Sequence, residues 1–205
     1  MSAGDADVPM PRVFLGLGAN IGNREANLRL ALRWLAPRCE VVAVSSLYRS
    51  EAVVLEGAAP GPDFLNAACE IATKLSPGEL LRFVKQIEHD IGRRPSERWA
   101  PRPIDIDILL YGDSVVASDV PEERLTVPHP AICERNFVLV PLAELASDIE
   151  HPTLHKTIGE LAEDVDYDGL EHLRGPEWAD GNNRRDVEDA EQDEDEEMEG
   201  SDRDT

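Results

Sequence analysis

The chain has 205 residues and a formal net charge of −22, because 42 acidic residues stand against 20 basic ones. This length suits a single domain with a sizeable core, and the negative charge argues against a general nucleic-acid-binding protein, which needs a basic face. No apolar run is long enough to span a membrane, the N-terminus lacks the regions of a secretory signal, and three widely separated cysteines are typical of free thiols in a reducing compartment. We therefore expect a cytoplasmic protein that acts as a monomer, without membrane or nucleic-acid partners.

The chain begins with an arm, a strand and a helix. Residues 1–11 are small, acidic and contain proline, which predicts a disordered arm. An apolar strand is predicted from Arg12 to Gly18. We interpret the glycines at 16, 18 and 22 as a tight connection from the strand into the helix, because their spacing does not fit a dinucleotide-binding fingerprint. Asn23 can cap the helix, which has an apolar stripe and three arginines predicted to point outward: Arg24, Arg29 and Arg33.

Two further strands and a second helix are predicted next. The strands cover residues 40–47 and 64–73, and a loop rich in glycine and proline joins them. Ser76 and Glu79 form a capping box with proline at the first helical position, which predicts the start of the second helix. The helix has apolar residues at core spacing and ends at Gly92.

The segment after Gly92 combines an arginine-rich loop with a strand that carries two aspartates. Isoleucines alternate with Asp105 and Asp107, so the isoleucines enter a core and both carboxylates project from the opposite face. Mg²⁺ takes one or two carboxylates together with substrate phosphates, and arginine side chains suit phosphate oxygens. The arginines before the strand are Arg93, Arg94, Arg98 and Arg102. The pattern indicates Mg²⁺-assisted chemistry on a polyphosphate; the alternative is that both aspartates face solvent and are neutralised by the arginines.

The order strand, helix, strand, strand, helix, strand indicates a ferredoxin-like α+β domain, with an antiparallel sheet and helices packed against it. A short return strand at 115–116 and a helical segment from Val138 to Ala146 follow. We place one folded domain at residues 12–175. Residues 176–205 are predicted to be a disordered tail, because they include 14 acidic and 3 basic residues and few apolar ones.

The basic residues are almost all arginine, since only three of the 20 are lysine. An acidic, lysine-poor surface is compatible with life in high salt, where excess carboxylates keep a protein soluble. The alternative is an ordinary acidic tail on an enzyme that works at low salt.

The run from Arg98 to Leu109, RWAPRPIDIDIL, resembles the signature of the 6-hydroxymethyl-7,8-dihydropterin pyrophosphokinase family of folate biosynthesis. The resemblance extends from about Arg12 to Leu161. It implies Mg²⁺-dependent transfer of the terminal pyrophosphoryl unit of ATP to the hydroxymethyl group of 6-hydroxymethyl-7,8-dihydropterin, with release of AMP. The family's two Mg²⁺ ions would bridge the carboxylates and the triphosphate of ATP, the co-substrate.

The resemblance also implies roles for individual residues. The implied metal ligands are Asp105 and Asp107. The residues implied for catalysis are Arg93, Arg98, Arg102, Asp105 and Asp107. Those implied for ATP binding are Glu88, Arg93, Arg98, Arg102 and His129. Those implied for pterin binding are Phe64, Asn66, Trp99, Arg135 and Phe137, with Trp99 as a lid over the pterin. Without the resemblance, Phe64 and Phe137 would be interpreted as core residues and His129 as a structural histidine.

One stretch departs from the family pattern. After Tyr48 and Arg49 the family continues with threonine and proline, whereas this chain has Ser50–Val54 without that proline. The contacts that the loop at 50–63 would make to a pterin are therefore left open.

Two other functions are compatible with these residues. One is a nucleotidyl or phosphoryl transferase that uses the same aspartates on a different acceptor. The other is a non-catalytic module that binds ATP or a pterin and recruits a basic partner through its acidic tail. A module freed from catalysis has no need of the four residues Arg102, Asp105, Asp107 and His129 together, which argues against it.

Overall fold

The structure, a computed structural model, describes residues 10–52, 61–95, 100–118 and 124–180. Its helices are α1 (Arg24–Leu35), α2 (Pro77–Asp90), α3 (Asn136–Ala146), α4 (Ile158–Glu163) and a 3₁₀ helix (Pro176–Asp180). Its strands are β1 (Val13–Ala19), β2 (Cys39–Val44), β3 (Leu47–Ser50), β4 (Phe64–Thr73), β5 (Asp105–Tyr111), β6 (Val116–Ser118), β7 (Leu125–Val127) and β8 (Leu170–Arg174). Most of the predicted arm and residues 181–205 of the predicted tail lie outside the described residues. Within the described ranges, no helix is both long and apolar enough to cross a membrane.

Six strands form one antiparallel sheet in the order β5–β1–β4–β3–β8, with β2 also paired to β4. The chain passes in turn through β1, α1, β2 followed directly by β3, then β4, α2 and β5. Counting β2 and β3 as one interrupted strand, this is the predicted ferredoxin-like order. The predicted α+β class, an antiparallel sheet with packed helices, is confirmed. The predicted return strand is β6, and it pairs with β7 in a separate two-stranded sheet.

The single strand predicted at 40–47 is divided into β2 and β3 at Ser45 and Ser46. The backbone N–H of Ser45 donates to the carbonyl of Ala68 on β4 at 2.9 Å, and Oγ of Ser45 accepts from the N–H of Ala68 at 2.8 Å. A serine hydroxyl that replaces a backbone acceptor interrupts a regular ladder. The chain therefore bends here while both β2 and β3 stay paired with β4.

The sheet has a hydrophobic core on each face. Helices α1 and α2 pack on one face, where Leu28, Val84 and Ile106 are fully buried. Helices α3 and α4 pack on the other face, where Phe14 and Leu139 are buried. Burying one such side chain contributes about 1.5–3 kcal/mol, so both clusters hold the helices firmly on the sheet. The N-terminal end of α3 borders the cavity described below.

Both predicted helix starts are confirmed. Oδ1 of Asn23 accepts from the N–H of Ala26 at 3.2 Å and caps α1. At the start of α2, the carboxylate of Glu79 accepts from the N–H of Ser76 at 2.9 Å, and Oγ of Ser76 accepts from the N–H of Glu79 at 3.4 Å. Each cap satisfies a backbone donor that the helix itself leaves unpaired.

The folded part of the chain continues past the boundary predicted at 175. Strand β8 adds to the sheet beside β3, and Trp178 of the 3₁₀ helix is 1% exposed within the first core. Arg29, predicted to point outward from α1, is 8% exposed, and its Nε donates to the carbonyl of Trp178 at 2.6 Å. The boundary predicted at 175 and the outward direction predicted for Arg29 were therefore both wrong. The segment after residue 175 is acidic on average, and this average does not reveal a single tryptophan that is buried against residues far away in sequence.

Candidate active site

Asp105 and Asp107 lie on one face of β5, and the neighbouring strand leaves that face open. Gly18 of β1 lies opposite Asp105, and Gly16 lies opposite Asp107. Glycines at alternating strand positions place no side chain beside the carboxylates, and a cavity of about 540 Å³ opens there. The interpretation of the glycines as a tight connection into α1 holds for Gly22, which has a positive φ of 66° between β1 and α1, whereas Gly16 and Gly18 lie inside β1 and line the cavity.

Arg93 and Arg102 both bind Asp105. Nη1 of Arg93 donates to Oδ1, and Nη1 of Arg102 donates to Oδ2 at 2.7 Å. Burial opposes ionisation of Asp105, but the positive charges of Arg93, Lys85 and Arg102 outweigh it and hold the pKa of that carboxyl below its ordinary value. Two of the predicted phosphate-binding arginines therefore reach the predicted metal site, as a pair around one carboxylate.

Asp107 has a different environment. Its Oδ2 lies 4.0 Å from Nε2 of His129, and its side chain is 38% exposed and lines the cavity. Burial raises the pKa of Asp107, and the negative charge of Asp105 raises it further. Asp107 is therefore the carboxylate that a bound cation would stabilise most. His129 lies beside it, and its predicted contact with ATP phosphate stays a prediction.

The two aspartates fit Mg²⁺ by their chemistry, since both offer hard oxygen ligands on one face of a rigid strand. Within the described part of the chain, no group of three or more histidine, cysteine, aspartate or glutamate side chains could hold a metal ion. An ion at Asp105 and Asp107 would complete its coordination with phosphate oxygens and water, which is the usual habit of Mg²⁺. The donor set suits a metal that arrives with a polyphosphate.

Glu88 supports the strand between the two aspartates. Its side chain is 3% exposed, and Oε1 accepts from the backbone N–H of Ile106 at 2.7 Å. The same oxygen lies 2.7 Å from Nη1 of Arg93 and 2.8 Å from Nζ of Lys85. Burial raises the pKa of Glu88 against the opposing effect of these two cations. The contacts join α2, β5 and Arg93, and the role of Glu88 in ATP binding stays a prediction.

Two residues that the sequence analysis did not single out belong to the site. Lys85 lines the cavity one helical turn before Glu88, and this i,i+3 spacing is the signal that could have identified it. Asn20 is 4% exposed; its Oδ1 accepts from the N–H of Arg102 at 2.6 Å, and its Nδ2 donates to the carbonyl of Pro62 at 3.3 Å. Its place in a Gly-x-Asn-x-Gly turn was visible in the sequence, but its partners were not.

The cavity continues from the aspartates to Phe64, Asn66, Arg135 and Phe137. Asn66 is 4% exposed, and its Nδ2 donates to Oγ of Ser50 at 2.9 Å. The guanidinium carbon of Arg135 lies 5.8 Å from the centre of the Phe137 ring, within the range of a cation–π contact. Phe64 and Phe137 are both only partly buried, so each presents ring surface that a closed core would hide.

Arg98 and Trp99 lie outside the described residues. Their predicted places over the bound substrates, including the lid role of Trp99, stay predictions. The described residues on either side of that segment, Arg93 and Arg102, both bind Asp105.

A sequence model described as 7,8-dihydro-6-hydroxymethylpterin-pyrophosphokinase (HPPK) matches residues 14–147, well over half of the chain. The chain belongs to the HPPK family. The resemblance that the run RWAPRPIDIDIL first suggested is confirmed by this match, which also includes the strands and helices that form the cavity.

Several HPPK relatives are similar in sequence. The 2-amino-4-hydroxy-6-hydroxymethyldihydropteridine pyrophosphokinase of Bacillus subtilis is 44% identical over 139 residues, which cover 67% of this chain and 79% of the relative. The protein of the same name from Methylorubrum extorquens is 42% identical over 166 residues, covering 80% of this chain and 99% of the relative. Folic acid synthesis protein FOL1 of Dictyostelium discoideum is 38% identical over 149 residues, but the match covers 73% of this chain and only 22% of that protein.

Solved HPPK-DHPS structures share the fold. One, an HPPK-DHPS in complex with substrates, superposes with a TM-score of 0.62 at 13% identity, and the match covers 80% of this chain and 47% of that one. A Plasmodium falciparum HPPK-DHPS with pterin and p-hydroxybenzoate gives a TM-score of 0.63 at 15% identity, again covering 47% of that chain. This chain therefore spans about half the length of those structures.

Proposed function

We propose that this chain transfers a pyrophosphoryl group from ATP to 6-hydroxymethyl-7,8-dihydropterin, with Mg²⁺, and releases AMP, as a step of tetrahydrofolate biosynthesis. The observation that carries the proposal is one cavity that joins two aspartates and their arginines to two partly exposed phenylalanines. A highly charged end suits a metal–triphosphate, and an aromatic end suits a flat heterocycle. The names of the HPPK relatives support the same reaction.

Asp105 and Asp107 would hold the metal, which in the proposal is a pair of Mg²⁺ ions. Bound Mg²⁺ would neutralise the triphosphate and align the attacking and leaving oxygens. The strand itself positions both carboxylates, because the backbone N–H of Ile106 between them is held by the buried carboxylate of Glu88.

Arg93 and Arg102 would bind the phosphate chain. Each guanidinium carries five N–H donors in a fixed geometry, and the contacts with Asp105 use only part of that set. Nε of Arg102 also donates to the carbonyl of Ala100 at 3.3 Å, and Nη1 of Arg93 lies 2.7 Å from Glu88. Further N–H donors on each guanidinium would bind phosphate oxygens at the same end of the cavity. His129, close to Asp107, would contact the same phosphates.

The pterin would lie between Phe64 and Phe137, with the amide of Asn66 at its polar edge. Its hydroxymethyl oxygen would then point toward the aspartate end of the cavity. That oxygen would form a bond to the β-phosphorus of ATP and release its proton to solvent, while the bond from this phosphorus to the oxygen that stays on AMP breaks. Closure by Arg98 and Trp99 would keep water from competing with the hydroxyl.

Product analysis tests the proposal. Purified protein is incubated with ATP, Mg²⁺ and 6-hydroxymethyl-7,8-dihydropterin, and the expected products are AMP and pyrophosphorylated pterin in equal amounts, with no turnover in excess EDTA. Formation of ADP or free pyrophosphate would instead indicate a phosphoryl or nucleotidyl transferase. ATP that binds without being consumed, at low salt and at multimolar salt, would indicate a non-catalytic binding module.

A further inference from the structure

The C-terminal residues 170–180, here called the C-terminal clasp, lie two strands away from the pterin-binding side of the cavity. Strand β8 of the clasp pairs with β3, and β3 pairs with β4. The register aligns Leu170 with Ser50 and Ser50 with Phe64. It likewise aligns His172 with Tyr48, and Tyr48 with Asn66. Each of the two β4 residues proposed to bind the pterin is thus linked to the clasp through one residue of β3.

Trp178 anchors the clasp in the first core. The side chain is 1% exposed, and its indole Nε1 donates to the carbonyl of Ser45 at 2.8 Å. Nε of Arg29 donates to the carbonyl of Trp178 at 2.6 Å, which ties the same residue to α1. Ser45 is the point at which β2 ends and the chain bends toward β3. The indole therefore holds Ser45, two residues before β3 begins, from the core beneath the sheet.

The other contacts of the clasp include the backbone pairing of β8 with β3 and ion pairs at the surface. Arg174 binds Glu25 at 2.5 Å, with the arginine side chain 53% exposed. Arg49 binds Glu171, and both side chains are about half exposed. Exposed ion pairs contribute little, because water screens them and ordering two long side chains costs entropy. A buried aromatic side chain with a satisfied indole contributes far more, so Trp178 is the residue on which the clasp depends.

The position of β3 matters to the cavity through Ser50. Its Oγ accepts from Nδ2 of Asn66, and both side chains are nearly buried. Ser50 also lines the cavity directly. We propose that the C-terminal clasp, held by Trp178, positions β3 and thereby sets the affinity of the site for the pterin acceptor, with little influence on ATP. The inference rests on the proposed function, because it requires that Phe64 and Asn66 bind the pterin.

The test compares Trp178→Phe with a control variant that makes a similarly small change to a buried side chain in the other core. Trp178→Phe keeps an aromatic ring but removes the N–H bonded to Ser45. Ile158→Val removes one methyl group from a fully buried side chain of α4, on the opposite face of the sheet from Trp178. If the two variants differ in melting temperature, Ile158→Ala provides a more destabilised control. Kinetic constants for each substrate are measured with the other saturating, well below the melting temperatures.

For Trp178→Phe the expected result is a KM for the dihydropterin raised by roughly three- to tenfold, the effect of one lost buried hydrogen bond. The KM for ATP should stay within about twofold of the wild-type value, because the phosphate contacts are untouched. The Ile158 control should leave both constants near the wild-type values. Trp178→Ala, which removes the anchor itself, should raise the KM for the pterin further.

The possible outcomes distinguish a failure of this inference from a failure of the proposed function. If the wild-type protein turns over and Trp178→Phe changes the two KM values equally, or changes only the melting temperature as the control does, the clasp is structural and the inference is wrong. If the wild-type protein does not pyrophosphorylate the pterin at all, the proposed function fails first and this inference falls with it.

Discussion

The two ends of the cavity are built in different ways. The phosphate end is lined by Lys85, Arg93, Arg102, Asp105 and Asp107, from α2, β5 and the segment between them, and His129 lies beside Asp107. The acceptor end consists of Gly18, Ser50, Phe64, Asn66 and Phe137, from β1, β3, β4 and α3. A short stretch of sequence supplies the charges, whereas the whole fold is needed to assemble the aromatic end. Substitutions at the two ends should therefore affect different substrates.

Asp107→Asn should break the phosphate end and give the largest effect. We expect kcat to fall by roughly 10²–10³-fold or more, because a group that stabilises transition-state charge is lost. Folding should be preserved, since the side chain is 38% exposed and carries a raised pKa in the folded protein. The control is Asp113→Asn, the same chemical change at an exposed position just beyond β5. An active, Mg²⁺-dependent Asp107→Asn protein would remove Asp107 from the mechanism.

Gly18→Val should narrow the acceptor end most, because the atoms nearest to an added Cβ belong to Asn66 and Phe64, although Gly18 also lies opposite Asp105. A Cβ at Gly18 would lie 3.5 Å from Oδ1 of Asn66 and 3.7 Å from Cδ1 of Phe64, so it fits, but the two methyl groups beyond it would fill the space proposed for the pterin. The KM for the dihydropterin should rise by about tenfold or more, and the KM for ATP should change little. Ala117→Val, at an exposed strand position of β6, is the matched control. Equal losses for both substrates would show that the two ends are not separable.

Arg102→Lys tests the phosphate end of the cavity by a smaller change than the loss of Asp107. Lysine keeps the positive charge beside Asp105 but loses the planar set of donors. We expect the KM for ATP to rise by about three- to tenfold while the KM for the pterin stays constant. Arg38→Lys, at an exposed arginine near Phe83, makes the same change away from the cavity. An unchanged KM for ATP would mean that charge alone is sufficient at this position.

The smallest effect is expected on the free energy of unfolding in metal-free buffer, which should respond differently to substitution of Asp105 and of Asp107. Asp105 has a lowered pKa, so its ionised contacts contribute stability that is present above its ordinary pKa and lost as the pH falls. Asp107 has a raised pKa, so the stability linked to its protonation is present at low pH and lost as the pH rises. At pH 7, Asp105→Asn should lower the free energy of unfolding by about 1 kcal/mol, and Asp107→Asn should not lower it.

Urea unfolding at neutral and acidic pH measures this difference, with EDTA present throughout. The gap between the two variants should shrink as the pH approaches the ordinary range for a carboxyl group. If Asp107→Asn is the more destabilised variant at pH 7, the assignment of Arg93 and Arg102 to Asp105 is contradicted.

The sequence pattern predicted the structural features that depend on residues close together in the chain. The capping box at Ser76 and Glu79, and the common face of Asp105 and Asp107, follow from spacing alone. The open floor at Gly16 and Gly18 could not be predicted in that way, because its meaning depends on which strand lies beside β1.

The C-terminal clasp was missed for a related reason. The partners of Trp178 are Ser45 and Arg29, and neither is near it in sequence. Average composition after residue 175 is dominated by charge, and one buried tryptophan does not alter that average. Contacts between residues far apart in sequence determine the structure of the clasp, and contacts of the same kind assemble the acceptor end of the cavity.

The most direct test of the account is the fate of each phosphorus atom of ATP. Parallel reactions with ATP labelled at the α- or the γ-phosphorus are run with Mg²⁺ and 6-hydroxymethyl-7,8-dihydropterin, and the products are separated. The account predicts that the α-label stays entirely in AMP and the γ-label moves entirely to the pterin, joined to the β-phosphorus. An α-label on the pterin, or a γ-label on the pterin with ADP as the other product, would contradict pyrophosphoryl transfer.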